Sequence, residues 1–214
     1  MKFIKKILRS NRSTSDMLEV FFFSKKFLKS KGWQHSRYMH QPLDENKSPL
    51  PWFTYSSIYF IQQKLRTSHT VFEFGSGNST QWFAKRVKSI VSVEHDTVFY
   101  QKIHDTISSL PNVEHVFGAL GEGYSAKILA YDKQFDVIII DGRERIQCAK
   151  NAIQALKDDG VIIWDNSDRE KYQEGYQFLI DHGFKQLDFR GAGPISHSEW
   201  QTSIFYRNTN CFEI

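Results

Sequence analysis

The chain has 214 residues, 40% of them hydrophobic and 24% charged, which suffices for one well-filled core and makes a second domain unnecessary. Its two cysteines, Cys148 and Cys211, are too few for a disulfide framework and lack metal-type spacing, which fits a reducing, cytoplasmic setting. The net charge of +4 is uneven: residues 1–32 hold nine Lys or Arg against two acids, so of 28 basic and 24 acidic residues the remainder keeps 19 and 22, a balance that argues against a broad nucleic-acid footprint.

The stretch Met1 to Arg9 is basic but has no apolar run long enough for a signal peptide or a membrane span. A second basic and aromatic stretch follows, Val-Phe-Phe-Phe-Ser-Lys-Lys-Phe-Leu over residues 20–28. It has two readings, a helix lying on an anionic membrane surface, or a helix packing its phenylalanines on the body with its lysines in water; the second is the default for basic helical faces. Residues 40–51 contain three prolines with Asp44, Glu45 and Asn46 and read as an irregular lead-in. Residues 1–50 are therefore taken as a basic N-terminal extension and 51–214 as the functional domain.

From Trp52 onward helical and extended patterns alternate. Ile58, Ile61 and Leu65 recur at helical spacing, predicting a helix over 55–65, with strands then expected at 70–74, 90–94 and 113–117 and helices between them. Phe-Asp-Val-Ile-Ile-Ile over 135–140 is a near-continuous β-branched run, as in a strand buried on both faces of a parallel sheet. A helix carrying Ile146, Ala149, Ile153 and Leu156 should end at Asp158-Asp159-Gly160, before a fifth strand over 161–164. A helix over 170–182, a strand over 184–189, a loop over 190–201 and a strand over 202–207 complete the pattern. The expected fold is α/β, a three-layer sandwich around a mostly parallel seven-stranded sheet.

The most informative stretch is Val-Phe-Glu-Phe-Gly-Ser-Gly-Asn-Ser-Thr over 71–80, a strand that ends in an acidic residue and then turns through glycines into a helix. Glycines let the backbone approach a ligand, and the helix start offers free N–H groups. About 20 residues on, Glu94 ends the next strand, where nucleotide-binding folds place a carboxylate for ribose. A dinucleotide fingerprint wants a third glycine where Thr80 stands, and Glu73 would repel a pyrophosphate while welcoming an ammonium group. In an open α/β sheet Glu73, Glu94, Asp141, Asp165 and Asn166, all at predicted strand ends, should converge on one crevice.

Acidic-x-Gly-x-Gly followed by a strand-ending acid resembles the class I S-adenosylmethionine-dependent methyltransferases, over about residue 52 to the C-terminus. The wording Phe-Gly-Ser-Gly-Asn-Ser-Thr, Ser-Val-Glu-His-Asp, Ile-Asp-Gly-Arg-Glu-Arg and Trp-Asp-Asn-Ser-Asp-Arg resembles a bacterial-type group of that superfamily. The resemblance implies a Rossmann-like sheet whose last strand is antiparallel, and an enzyme that uses S-adenosylmethionine. It implies that Glu73 binds the methionine ammonium directly or through water, that Gly75 and Gly77 pass close to the carboxypropyl group with Ser76, Asn78 and Ser79 beside them, and that Glu94, next to His95, takes both ribose hydroxyls. For adenine, Glu122 and Tyr124 are the residues in view.

Methyl transfer is an in-line displacement that needs an oriented, activated acceptor. Asp141, Asp165 and Asn166 are similar to the Asp and Asp-Asn positions at which catechol-type O-methyltransferases hold magnesium, and oxygen ligands suit that ion. The other reading has Asp141 as base or cofactor ligand and Asp165-Asn166 as a helix cap. Asp141 is followed by Gly-Arg-Glu-Arg in place of that family's lysine segment. His197, in the 190–201 loop, is a further catalytic candidate. Arg143, Arg145 and Arg169 either face the crevice, where they would select an acidic acceptor, or pair with Glu144, Asp168 and Glu170. The resulting expectation is methylation of a hydroxyl on a small-molecule or glycan-like acceptor. The rival readings are a non-catalytic nucleoside-binding module and a nicotinamide-dependent oxidoreductase. For the basic N-terminus, peripheral membrane contact is the alternative to the packed-helix reading.

Overall fold

The computed structural model describes residues 12–121 and 123–214. Met1 to Arg9 and Glu122 therefore lie outside the described residues. Helix α1 (Arg12–Ser30) leads into α2 (Trp33–Met39). At the junction Gly32 has φ +69°, and a Cβ there would lie 2.1 Å from the carbonyl carbon of Asp44, so only glycine fits. The lead-in is folded back on α2: Ser36 Oγ donates to the Leu43 carbonyl at 2.8 Å and accepts from the Leu43 N–H at 2.9 Å.

The remaining elements alternate as the periodicities predict. They are α3 (Tyr55–Lys64), β1 (Thr70–Phe74), α4 (Asn78–Ala84), β2 (Ser89–Glu94), α5 (Thr97–Ser108), β3 (Val113–Phe117) and β4 (Phe135–Ile140), then α6 (Arg145–Ala155), β5 (Leu156–Asp165), α7 (Gln173–Asp181), β6 (Lys185–Gly191) and β7 (Trp200–Tyr206). The seven strands form one sheet in the order β3-β2-β1-β4-β5-β7-β6. Strands β1 to β5 pair in parallel, while β7 runs antiparallel to both β5 and β6, so six strands share one direction and the last opposes them.

Alternate residues feed two cores, one on each face. Phe72, Phe74, Ile138, Ile140 and Trp164 pack on one face with Ala149 and Ala152 of α6 and Leu179 of α7. Val71, Val137, Ile139 and Ile163 pack on the other with Ile58 and Ile61 of α3 and Trp82 and Phe83 of α4. Every residue of β4 is buried, as its near-continuous apolar run requires, and the polar exception, Asp136, is bonded to Thr70 and Lys157. Two boundaries depart from the sequence pattern. Leu156 belongs to the strand and pairs with Phe135 before residues 157–160 bulge and Val161 resumes beside Val137. Trp200 opens β7 and is buried, where the sequence pattern places it in a loop.

Helix α1 overturns the default reading of its phenylalanines. Phe21, Phe22 and Phe23 are 58–71% exposed and do not pack on the body.

Candidate active site

Sheet register assembles the site. Phe74 of β1 pairs with Val93 of β2 and with Ile140 of β4, and Ile140 pairs with Trp164 of β5. The next residues, Gly75, Glu94, Asp141 and Asp165, therefore form one row along the carboxyl edge of the sheet, where an open α/β sheet takes its ligand. All four line a cleft of about 1080 Å³, together with Ser76, Gly77, Asn78, Ser79, His95 and Asn166.

Gly75 has φ +100°, and a Cβ on it would lie 3.0 Å from the Gly142 backbone, while a Cβ on Gly142 would meet the Tyr124 hydroxyl at 1.8 Å. These two glycines let the ends of β1 and β4 close up. Gly77 differs: a Cβ there would meet nothing within 4 Å, because its open side is the cleft.

Glu94 is 4% exposed, and it accepts hydrogen bonds from the N–H groups of Ser76 (3.2 Å), His95 (2.8 Å) and Asp96 (2.8 Å). His95 Nδ1 also lies 2.9 Å from Oε1, whereas Oε2 takes only the Ser76 N–H and so keeps a lone pair for a ligand. Asp96 then caps α5 by accepting from the Phe99 N–H.

Glu73 does not line the cleft. It points beneath the glycine turn, fully buried, where Thr80 and Ser92 hydroxyls donate to its Oε2, the latter at 2.7 Å, and its Oε1 has no partner. Burial raises its pKa to about 7 against the pull of these hydroxyl bonds, and the nearby charge of Asp141 adds to the rise. Direct contact with a ligand's ammonium group, one of the two expectations, is not available to a side chain so placed. Thr80 also accepts from the Gly77 N–H at 3.0 Å, so the residue that breaks the dinucleotide fingerprint ties the turn to Glu73.

A guanidinium stands between the ends of β4 and β5. Arg145, 6% exposed, donates to the Gly142 carbonyl (2.9 Å), to the Asp141 carbonyl (2.7 Å), to Asp141 Oδ1 (3.0 Å) and to the Asp165 carbonyl. Asp165 is pinned from the other side, its Oδ1 accepting from Trp200 Nε1 (2.8 Å) and Thr202 Oγ1 (2.6 Å) of β7. Burial raises the pKa of both carboxyls; Arg145 pulls Asp141 back down, while the Asp141 charge pushes Asp165 further up. Asp141 keeps 21% of its side chain exposed, open to the cleft.

Residues 72–167 match a family model described as a methyltransferase domain. No curated protein matches the chain. Among solved structures, a precorrin-6y C5,15-methyltransferase from Geobacter metallireducens is 17% identical with a TM-score of 0.57, over 73% of this chain and 91% of that one. A Streptococcus mutans protein described as a candidate methyltransferase, in complex with SAH, is 13% identical with a TM-score of 0.53, over 71% and 96%. Over residues 72–167 the chain is similar to a methyltransferase domain, and it shares its fold with these solved structures. A spermidine synthase from Thermotoga maritima shares the fold at 17% identity and a TM-score of 0.55, and the match spans only 57% of that chain against 72% of this one. The shared fold alone therefore does not decide which reaction this chain carries out.

Set against the superfamily's pattern, several expected residues lie elsewhere. Magnesium does not fit: Arg145 already supplies the cation at Asp141, Oδ1 of Asp165 is taken by β7, and among the described residues no three His, Cys, Asp or Glu gather as metal ligands. Nor do Asp165 and Asn166 cap a helix, since Asp165 bonds to β7 and Asn166, with φ +51°, turns the chain. His197 is exposed and outside the cleft lining, its ring 5.6 Å from that of Trp33. Tyr124 is fully buried beneath Gly142 and presents no surface to adenine.

The sequence pattern missed the cleft's outer wall. Met39, His40, Pro42, Leu50 and Trp52 line the cleft, although residues 1–50 read as an extension. This wall is tied at both ends, by Asn78 Nδ2 donating to the Pro42 carbonyl (2.8 Å) and by Trp33 Nε1 donating to the Ser196 carbonyl (3.1 Å). The sequence reading puts Arg145 at the crevice or in a pair with Glu144, Asp168 or Glu170; it lines the crevice and pairs instead with Asp141.

Proposed function

We propose that this chain transfers a methyl group from S-adenosylmethionine to a hydroxyl of a small-molecule or glycan-like acceptor that carries an acidic group. The observation that carries the reading is the row Glu94, Gly75 and Asp141 on one cleft edge, with the open face of Gly77 beside it. The free lone pair of Glu94 suits a ribose hydroxyl, and Phe99 and Ile103 of α5 give the same cleft apolar surface for a nucleoside. Glu73 acts on an ammonium group through the turn it anchors or through a water. The unpaired thiols of Cys148 and Cys211 accord with a cytoplasmic enzyme.

The sulfonium supplies an electrophilic methyl carbon with a neutral thioether as leaving group. Asp141 is the base: burial strengthens its hold on a proton, and Arg145 keeps its Oδ1 fixed. With S-adenosylmethionine held along Glu94 and Gly77, Asp141 would take the proton of an acceptor hydroxyl aligned with the methyl carbon that the cofactor would supply. Arg143 and Arg169 line the cleft, are exposed, and form no ion pair among the described residues. Two free guanidinium forks at the acceptor end favour a carboxylate or phosphate on the substrate.

Calorimetric titration with S-adenosylhomocysteine and, separately, NAD tests the cofactor. Selective binding of the former, weakened at least about tenfold by Glu94→Ala, is expected, since a charged hydrogen bond is worth about 1.5–3 kcal/mol. Preference for NAD, or no binding, would sink the reading. Turnover of an acidic hydroxylated acceptor, lost in Asp141→Asn with S-adenosylhomocysteine affinity retained, separates an enzyme from a binding module.

A further inference from the structure

Helix α1 stands outside everything the proposed chemistry uses. Its main neighbour is α2, and Met17, Val20, Phe22 and Phe23 are each more than 60% exposed. At 100° per residue Met17, Val20, Phe23 and Phe27 fall along one stripe, while Lys25, Lys26 and Lys29 gather on the opposite side. Along the stripe Phe23 stacks on Phe27 at 6.2 Å to form an exposed ridge, while Phe21 meets Phe22 edge-on at 5.7 Å nearer the lysine side. None of these lysines forms an ion pair among the described residues. A ridge of this kind is larger than the isolated apolar residues normal on a monomer's surface.

We propose that α1 seats the protein on the surface of a bilayer carrying anionic headgroups, with the Phe23 stripe in the acyl boundary and the lysines at headgroup level. The helix lies on the membrane and does not span it: no helix among the described residues is long and apolar enough to cross. Charge complementarity selects the occupant, because residues 1–32 hold nine basic residues against two acids while the rest of the chain is mildly acidic. A nucleic acid fits less well, since Met17 and Val20 in the stripe offer no flat face to a base and the rings cover one another. A second copy of this chain fits less well too, since stripe-to-stripe pairing would leave the lysine side without an anionic partner.

The test is co-sedimentation of the full chain with phosphatidylcholine vesicles, with and without phosphatidylserine. Expected is binding to the anionic vesicles, weaker by at least about tenfold on neutral ones or at high salt. Phe23→Asp with Phe27→Asp, and separately Lys25→Glu with Lys26→Glu, should each lower it by a similar factor. S-adenosylhomocysteine affinity should be unchanged in both variants, which shows that they fold and keeps this test separate from that of the cofactor site. Absence of vesicle binding, or binding that neither pair of substitutions lowers, overturns the proposal. So does a concentration-dependent dimer that Phe23→Asp dissolves, or competition by single-stranded RNA that displaces the protein from vesicles.

Discussion

At the scale of single residues, Glu73 and the two kinds of glycine make the sharpest predictions. Glu73 carries a folded-state pKa of about 7 against an ordinary 4.5, chiefly through burial. The folded chain therefore holds a proton there that the unfolded chain releases, and stability falls as pH rises from about 4.5 through 7, by up to about 3 kcal/mol. Glu73→Gln removes this dependence, so its Tm advantage over the parent should widen between pH 5 and pH 8. A constant gap would show that Glu73 is not buried as described. Gly142→Ala must displace the Tyr124 hydroxyl and should cost about 1–3 kcal/mol of stability by denaturant titration, as overpacking does. A Cβ at Gly77 meets nothing within 4 Å and points into the cleft, so Gly77→Leu should change Tm little and abolish S-adenosylhomocysteine binding by filling the cleft.

At the scale of elements, what the sequence revealed and what it hid follow from different kinds of force. The strands were legible because burial on both faces demands near-continuous apolar runs, as over residues 137–140, and because register then carries each strand-ending residue into one row. The wall was not legible, because it is held by bonds to backbone carbonyls at Pro42 and Ser196, which leave no side-chain pattern at the receiving end. His197 misled for a related reason: a lone histidine in a loop has no periodic constraint, and its partner Trp33 lies 164 residues away in sequence. Trp33→Ala frees the wall from the loop at the acceptor end. It should raise the acceptor KM several-fold, about the effect of losing one hydrogen bond worth about 1 kcal/mol. S-adenosylhomocysteine affinity should stay within about twofold, because the tie at Asn78 remains.

At the scale of the whole molecule, ligand binding and folding are one equilibrium. The cleft is built from the ends of β1, β2, β4 and β5 and from the wall, so none of it survives when the sheet unfolds. S-adenosylhomocysteine at about 100 times its Kd should add about 2.7 kcal/mol, a rise of roughly 5–10 °C in Tm by thermal melt. A shift cut to about half or less in Glu94→Ala at the same ligand concentration, and unchanged in Lys25→Glu, would separate the ligand site from the N-terminal helix.

The contact at Gly32 sets where this protein can be shortened. Because Gly32 presses its Cα against the Asp44 backbone and Ser36 clasps Leu43, the residues between them and the lead-in behave as one piece with the cleft. The smallest fragment that keeps a complete substrate chamber therefore starts at Gly32, some twenty residues upstream of the conventional boundary before the first core helix. A shorter fragment would retain the sheet and lose one side of the chamber.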